Sequence, residues 1–74
     1  MSDISFEIEK EIAPLEDYGR SGFRMELNLV SWNGRDAKYD IRPWNEDHTE
    51  MRKGVTLTEE QYGNLVQYIL HSEK

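Results

Sequence analysis

The dipeptide Asn33-Gly34, set between two alternating runs, constrains this chain more than any other feature. Before it, Phe23–Trp32 places Phe23, Met25, Leu27 and Leu29 on one parity and Arg24, Glu26, Asn28, Val30 and Trp32 on the other. After it, Lys38–Trp44 places Tyr39 and Ile41 on one parity and Lys38, Asp40, Arg42 and Trp44 on the other. Successive side chains of a strand point to opposite faces, so the two runs read as an antiparallel hairpin with one apolar face. A two-residue loop would set Leu29 against Lys38 and Leu27 against Asp40, mixing the faces of the sheet. An odd loop restores the phase. With Asn33-Gly34-Arg35 as the loop, Leu29 meets Tyr39 and Leu27 meets Ile41, while Glu26 meets Arg42, Asn28 meets Asp40 and Arg24 meets Trp44. The alternative loop Trp32-Asn33-Gly34 keeps the phase but opposes Arg24 to Arg42 and Glu26 to Asp40, and like charges directly opposite destabilise. The first register is therefore preferred. Either register gathers Arg24, Trp32, Lys38, Arg42 and Trp44 on one face, expected to be the open one, with the odd positions turned inward.

The other elements are shorter. Ile4–Ile12 alternates, with Ile4, Phe6, Ile8 and Ile12 on one parity, and reads as a first strand. Ala13–Gly22, with Pro14, Gly19, Ser21 and Gly22, reads as a long loop, and the polar stretch Asn45–Lys53 as another. Gly54–Leu57 is a short fourth strand. Thr58-Glu59-Glu60-Gln61 forms a capping box with acids on the positive helix end, opening a helix from Glu59 to about His71. Gly63 costs that helix ~1 kcal/mol relative to Ala, so tertiary contacts must hold it. Tyr62, Leu65, Val66, Tyr68, Ile69 and Leu70 cover an arc of roughly 200°, wider than the ~100° stripe a surface helix needs. The fold expected is α+β: a four-stranded antiparallel sheet followed by one carboxy-terminal helix, in a single domain over residues 1–74. A chain of 74 residues buries only roughly 60% of its unfolded surface, so its own core is marginal. The surplus apolar arc therefore points to a homodimer through Tyr62, Leu65, Val66, Ile69 and Leu70.

Composition narrows the function. With no cysteine, neither a disulfide framework nor a Cys-based zinc site is possible. The lack of a hydrophobic run, with Asp3 near the amino terminus, argues against a signal peptide or membrane span and for a soluble cytoplasmic protein. His48 and His71 form no metal motif, and the acids Glu46, Asp47 and Glu50 lack the spacing and glycine of a calcium loop. No glycine-rich phosphate loop is present. The expectation is a non-enzyme without cofactor or metal. The net charge of −6 opposes nucleic-acid binding, because such domains are usually basic. Its distribution weakens that objection. Residues 1–17 carry six acids against Lys10, and the tail carries Glu59, Glu60 and Glu73 against Lys74. In between, Arg20, Arg24, Arg35, Lys38, Arg42, Arg52 and Lys53 face Glu26, Asp36, Asp40, Glu46, Asp47 and Glu50, a balance of +1. The Debye length at physiological salt is ≈ 8 Å, so local sign outweighs the total. A strand face bearing cations and indoles suits a flexible polyanion with flat rings, which describes single-stranded nucleic acid.

The chain resembles the positive cofactor four family of transcriptional coactivators, in its small bacterial YdbC-like branch. The resemblance rests on Phe6-x-Ile8-x-Lys10, Trp32-Asn33-Gly34-Arg35, Asp40-Ile41-Arg42, Arg52-Lys53-Gly54-Val55-Thr56-Leu57 and Glu60-Gln61-Tyr62, and runs from Phe6 to about Leu70. It implies a curved sheet, a homodimer held by the carboxy-terminal helices, and grooves for single-stranded DNA bound with little sequence preference. The positions it implies for contact are Lys10, Trp32, Arg35, Arg42, Trp44, Arg52 and Lys53. Lys10 has the parity of Ile8 and Ile12, so a bulge is the device that would expose its charge. The expected division of labour has Trp32 and Trp44 stacking on bases, and Arg42 and Lys38 holding phosphates with help from Arg24 and Lys53. Weaker binding to duplex DNA is expected from the cations alone. The competing reading is an acidic dimeric protein-interaction module with the aromatics as hot spots.

Overall fold

A computed structural model of the chain describes residues 4–72, so Asp3 and the tail residues Glu73 and Lys74 lie outside it. Four strands, β1 (Phe6–Pro14), β2 (Phe23–Trp32), β3 (Lys38–Asn45) and β4 (Val55–Leu57), precede one helix, α1 (Glu59–Ser72). The strands form one antiparallel meander in the order β1-β2-β3-β4.

The hairpin has the register that charge pairing favours. Leu29 lies opposite Tyr39, Leu27 opposite Ile41, Glu26 opposite Arg42, Asn28 opposite Asp40 and Arg24 opposite Trp44. Asn33 and Gly34 both take positive φ, at 53° and 75°, and the Arg35 amide donates to the Trp32 carbonyl at 2.9 Å. That is the mirror-image turn that Asn-Gly favours. The first strand begins two residues later than Ile4 and runs on to Pro14, because two irregularities let its backbone follow β2 further. One lies between Ile8 and Lys10 and the other between Glu11 and Ala13. Each inserts an unpaired residue, which bends the strand and increases its twist.

These bulges decide which residues share a face. Phe6 pairs with Trp32 and Ile8 with Val30, so both join the even-numbered face of β2. After the first bulge, Lys10 pairs with Leu29 on the odd-numbered face. The even-numbered face is not the open one, which corrects the expectation from parity. Val30 and Trp44 are fully buried, as are Asn28 and Asp40. The odd members Met25, Leu27, Leu29 and Ile41 are only half-buried. Among the described residues no helix covers the even-numbered face. Its burial comes from the curl of the sheet, from Phe6 lying 5.0 Å from the Trp44 ring, and from the 45–51 loop folding over its far end. The odd-numbered face receives α1 only at its start, where the Tyr62 ring stacks on Tyr39 at 3.6 Å.

The capping box forms as the sequence implies. The Gln61 amide donates to Thr58 Oγ1 at 3.0 Å and the Thr58 amide to Gln61 Oε1 at 2.9 Å. Beyond that first turn the helix buries none of its residues, and Leu65, Tyr68, Ile69 and Leu70 are exposed. No helix among the described residues is long and apolar enough to cross a membrane.

Candidate nucleic-acid interface

The even-numbered face is built on two buried carboxylates, each spanned by an arginine two residues away on its own strand. Asp40, at 0% exposure, accepts from Arg42 Nε at 2.6 Å, Arg42 Nη2 at 2.9 Å and Thr56 Oγ1 at 2.8 Å. Glu26, at 3% exposure, accepts from Arg24 Nε at 2.7 Å, Asn28 Nδ2 at 3.0 Å and His48 Nε2 at 2.8 Å. Burial pushes the Glu26 carboxyl up, but the donors on Arg24, Asn28 and His48 outweigh it and hold the group below its ordinary value. An ionised Glu26 is an acceptor only, so the His48 nitrogen facing it carries the hydrogen. The cross-strand pair Glu26–Arg42, expected from the register, does not form. Positions two apart on one strand share a face, and both arginines pair along their own strand instead.

The rings interleave with the ions. The Arg42 guanidinium lies 4.6 Å from the Trp32 ring centre and that of Arg24 4.4 Å from Tyr18. Phe6 sits between the indoles, with ring centres 6.0 Å from Trp32 and 5.0 Å from Trp44. The far side of Trp44 is closed by the His48 ring at 5.5 Å. His48 reaches there because the 45–50 loop is tightly tied. The Asn45 amide donates to the Glu50 carbonyl, the Glu50 amide to Asn45 Oδ1, and Thr49 Oγ1 to Asp47 Oδ1. The Thr49 hydroxyl and amide hold the Asp47 carboxyl below its usual range, and His48 itself takes a left-handed φ of 58°.

An open cleft on this face is lined by Ile4, Trp32, Asn33, Arg42, Met51 and Thr56. Arg42 Nη1 points to Met51 Sδ at 3.8 Å. Thr56 pairs with Asp40, so β4 forms one wall, and that wall is close. A β-carbon on Gly54 would fall 2.1 Å from Arg42 Cβ and 2.3 Å from the Ile41 carbonyl oxygen, so only glycine lets the chain pass Arg42 here.

The residues singled out from the sequence are dispersed more than parity suggested. Trp32 and Arg42 meet at the cleft. Lys38, opposite Val30, is exposed on the same face toward the hairpin, where Arg35 is also exposed. Arg24 shares the face but is engaged by Glu26. Trp44 shares it and is fully buried, so it offers no ring surface to a ligand in this conformation; the expected open stacking residue is a packing residue here. Lys10 stands on the opposite face, because the bulge that frees it from the parity of Ile8 carries it opposite Leu29. Arg52 is drawn over the Phe23 ring, at 4.0 Å, on that same opposite face. Lys53 is exposed beside Gly54. Asp40, Thr56, Glu26 and His48 organise the site, a role the sequence does not assign to them. Alternation marks Asp40 and Glu26 as surface residues, and nothing local announces a carboxylate that will be buried under arginine.

The chain is thus a small antiparallel β-meander with one carboxy-terminal helix and a face on which arginines lie over aromatic rings. The sequence profile described as Transcriptional Coactivator p15 (PC4) matches residues 21–68, and the chain belongs to that family. A protein of Treponema pallidum (strain Nichols), described as uncharacterized, is 46% identical over 56 residues. That match takes in 76% of this chain and 65% of the relative's length.

Proposed function

We propose that this protein binds single-stranded DNA with little sequence preference, as a homodimer, in a transcription-related or other nucleic-acid transaction. Membership of the p15 coactivator family supports nucleic-acid binding. The observation that carries the single-strand reading is the Trp32–Arg42 pair lining an open cleft, with Lys38 and Arg35 exposed toward the hairpin. A partly exposed ring with a cation stacked over it engages unpaired bases, whereas a duplex hides its base faces. The dimer is supported by α1, whose Tyr68 is 77% exposed and whose Ile69 and Leu70 are also bare, on a chain too small to leave such a stripe in water. The protein has no catalytic role in this reading.

The engagement of Arg24 and Arg42 by buried carboxylates, with a net charge of −6, favours a second reading as a protein-interaction module. Titration with a single strand and with a blunt duplex of equal length, at two salt concentrations, separates the two. Nucleic-acid binding through phosphates falls with salt by about 0.7 log units per contact for single strands. Tighter binding to the single strand with a negative salt slope is expected. Equal or tighter binding to the duplex contradicts the stacking, and no binding to either leaves the interaction module. Sedimentation of the same samples should show a dimer at micromolar concentration; a well-folded monomer overturns that part.

A further inference from the structure

Arginine on a nucleic-acid-binding face is ordinarily read as a phosphate ligand, and that was the role expected of Arg42. The geometry points to another. Two of its nitrogens are spent on Asp40, at 2.6 and 2.9 Å, in a bidentate pair whose carboxylate is wholly out of water. Thr56 holds the same carboxylate from the neighbouring strand at 2.8 Å, so the acceptor cannot swing away. The arginine's own side chain keeps only 16% of its surface, and its guanidinium carbon lies 4.6 Å from the centre of the Trp32 ring. A cation bound edge-on by a buried anion carries little net charge toward a ligand, and it has few counterions to release on binding one. What it retains is a plane.

We propose that Arg42 and Trp32 together form a charge-compensated stacking plate for one nucleobase. Asp40 and Thr56 are the positioning residues that keep the guanidinium in place over the ring, so that its outer face is the one open to a base. The ligand chemistry is a flat heteroaromatic ring, since guanidinium planes and indoles both stack on unpaired bases. Phosphate contacts fall instead to exposed cations with no carboxylate partner within ion-pair distance among the described residues, Lys38 and Arg35 being the nearest along the strand and hairpin. This inference rests on the single-strand reading above and assigns the roles within it.

Lysine discriminates the two roles of residue 42, because it keeps the charge and lacks the plane. Binding of oligo-dT, oligo-U and an abasic phosphodiester strand of the same length would be measured for the unmodified protein and for Arg42→Lys, over a range of salt. A stacking plate predicts that Arg42→Lys weakens binding to both base-bearing strands by about 10-fold, the scale of one base–aromatic stack. The salt slope should not flatten, and the abasic strand should show no difference between the two proteins. A phosphate ligand predicts near-full affinity for Arg42→Lys on all three strands, and that result overturns the proposal. Loss confined to oligo-dT or to oligo-U also overturns it, since stacking does not read the sugar. Should Arg42→Lys fail to fold, Thr56→Val decides: it removes one donor from Asp40 and leaves both plate residues. Weaker binding of oligo-dT with an unchanged slope, restored by Thr56→Ser, supports the positioning role. Affinity and slope unchanged in Thr56→Val overturn it. Failure of the unmodified protein to bind any of the strands refutes the single-strand reading itself, which is a separate outcome.

Discussion

Replacing Gly54 with alanine should unsettle the fold and the cleft together. The β-carbon would lie 2.1 Å from Arg42 Cβ, 2.3 Å from the Ile41 carbonyl oxygen and 2.7 Å from Arg42 Cα. Carbon atoms rest at ≈ 3.5–4.0 Å, so relief requires a displacement of roughly 1.5 Å. The atoms in the way are mainly backbone and β-carbon, so no side-chain rotation provides that relief. β3 is held on its other side by β2, whereas β4 is an edge strand of three residues, so β4 must move. Its three pairings with β3 and the Thr56 bond to Asp40 at 2.8 Å are what it would lose. Overpacking of this kind costs ~1–3 kcal/mol. Depriving a buried acceptor of a donor adds roughly 1–3 kcal/mol. A total near 3 kcal/mol is a large share of the roughly 5–15 kcal/mol that a native domain possesses. For a domain of this size it lowers Tm by about 12–24 °C, at roughly 4–8 °C per kcal/mol. The assay is thermal and urea unfolding followed by circular dichroism at one fixed protein concentration, with Gly19→Ala as the control. Gly19 has nothing within 4 Å of its would-be β-carbon. If Gly54→Ala melts within a few degrees of Gly19→Ala, the close approach of β4 to Arg42 is wrong.

Further outcomes follow from the burial of the even-numbered face. Glu26 is held below its ordinary pKa, so its ionised form is the one the fold favours; that stabilisation is present above the unfolded carboxylate value and is lost as pH falls through the lower folded one. Glu26→Gln should therefore flatten the acid limb of a stability–pH curve, and an unchanged acid limb would remove Glu26 from the account. Trp44→Ala should cost ~3–5 kcal/mol through the cavity it leaves, and so weaken binding only as it unfolds the protein. Trp32→Ala should leave stability nearer that of the unmodified protein while weakening single-strand binding by ~1–3 kcal/mol. Fluorescence of single-tryptophan variants checks the pair: acrylamide should quench Trp32 strongly and Trp44 weakly, and the reverse order refutes the assignment of packing and binding roles.

The sequence alone determined the hairpin register and the start of the helix, which depend on neighbours within a few residues. Alternation marked Phe23–Trp32 and Lys38–Trp44, Asn33-Gly34 closed them into a hairpin, and the cost of opposing Arg24 to Arg42 selected the register seen. Thr58 and Gln61 likewise announced the start of α1, because a capping box is satisfied within one turn. The family was legible too, since its residues are spaced along the chain. Which face is buried was not legible. That depends on where β1 bulges and on how the 45–51 loop folds back, and both are settled by packing between residues far apart in sequence. Phe6 reaches Trp44 across 38 positions and His48 reaches Glu26 across 22. Parity assigns Trp44 and Asp40 to the surface because it treats a sheet as flat. Where no second layer covers a curled sheet among the described residues, one face closes on its own side chains, and a carboxylate there survives burial where an arginine and further donors reach it. Tertiary structure therefore decided which tryptophan lies at the cleft, which packs, and which arginine is already spoken for.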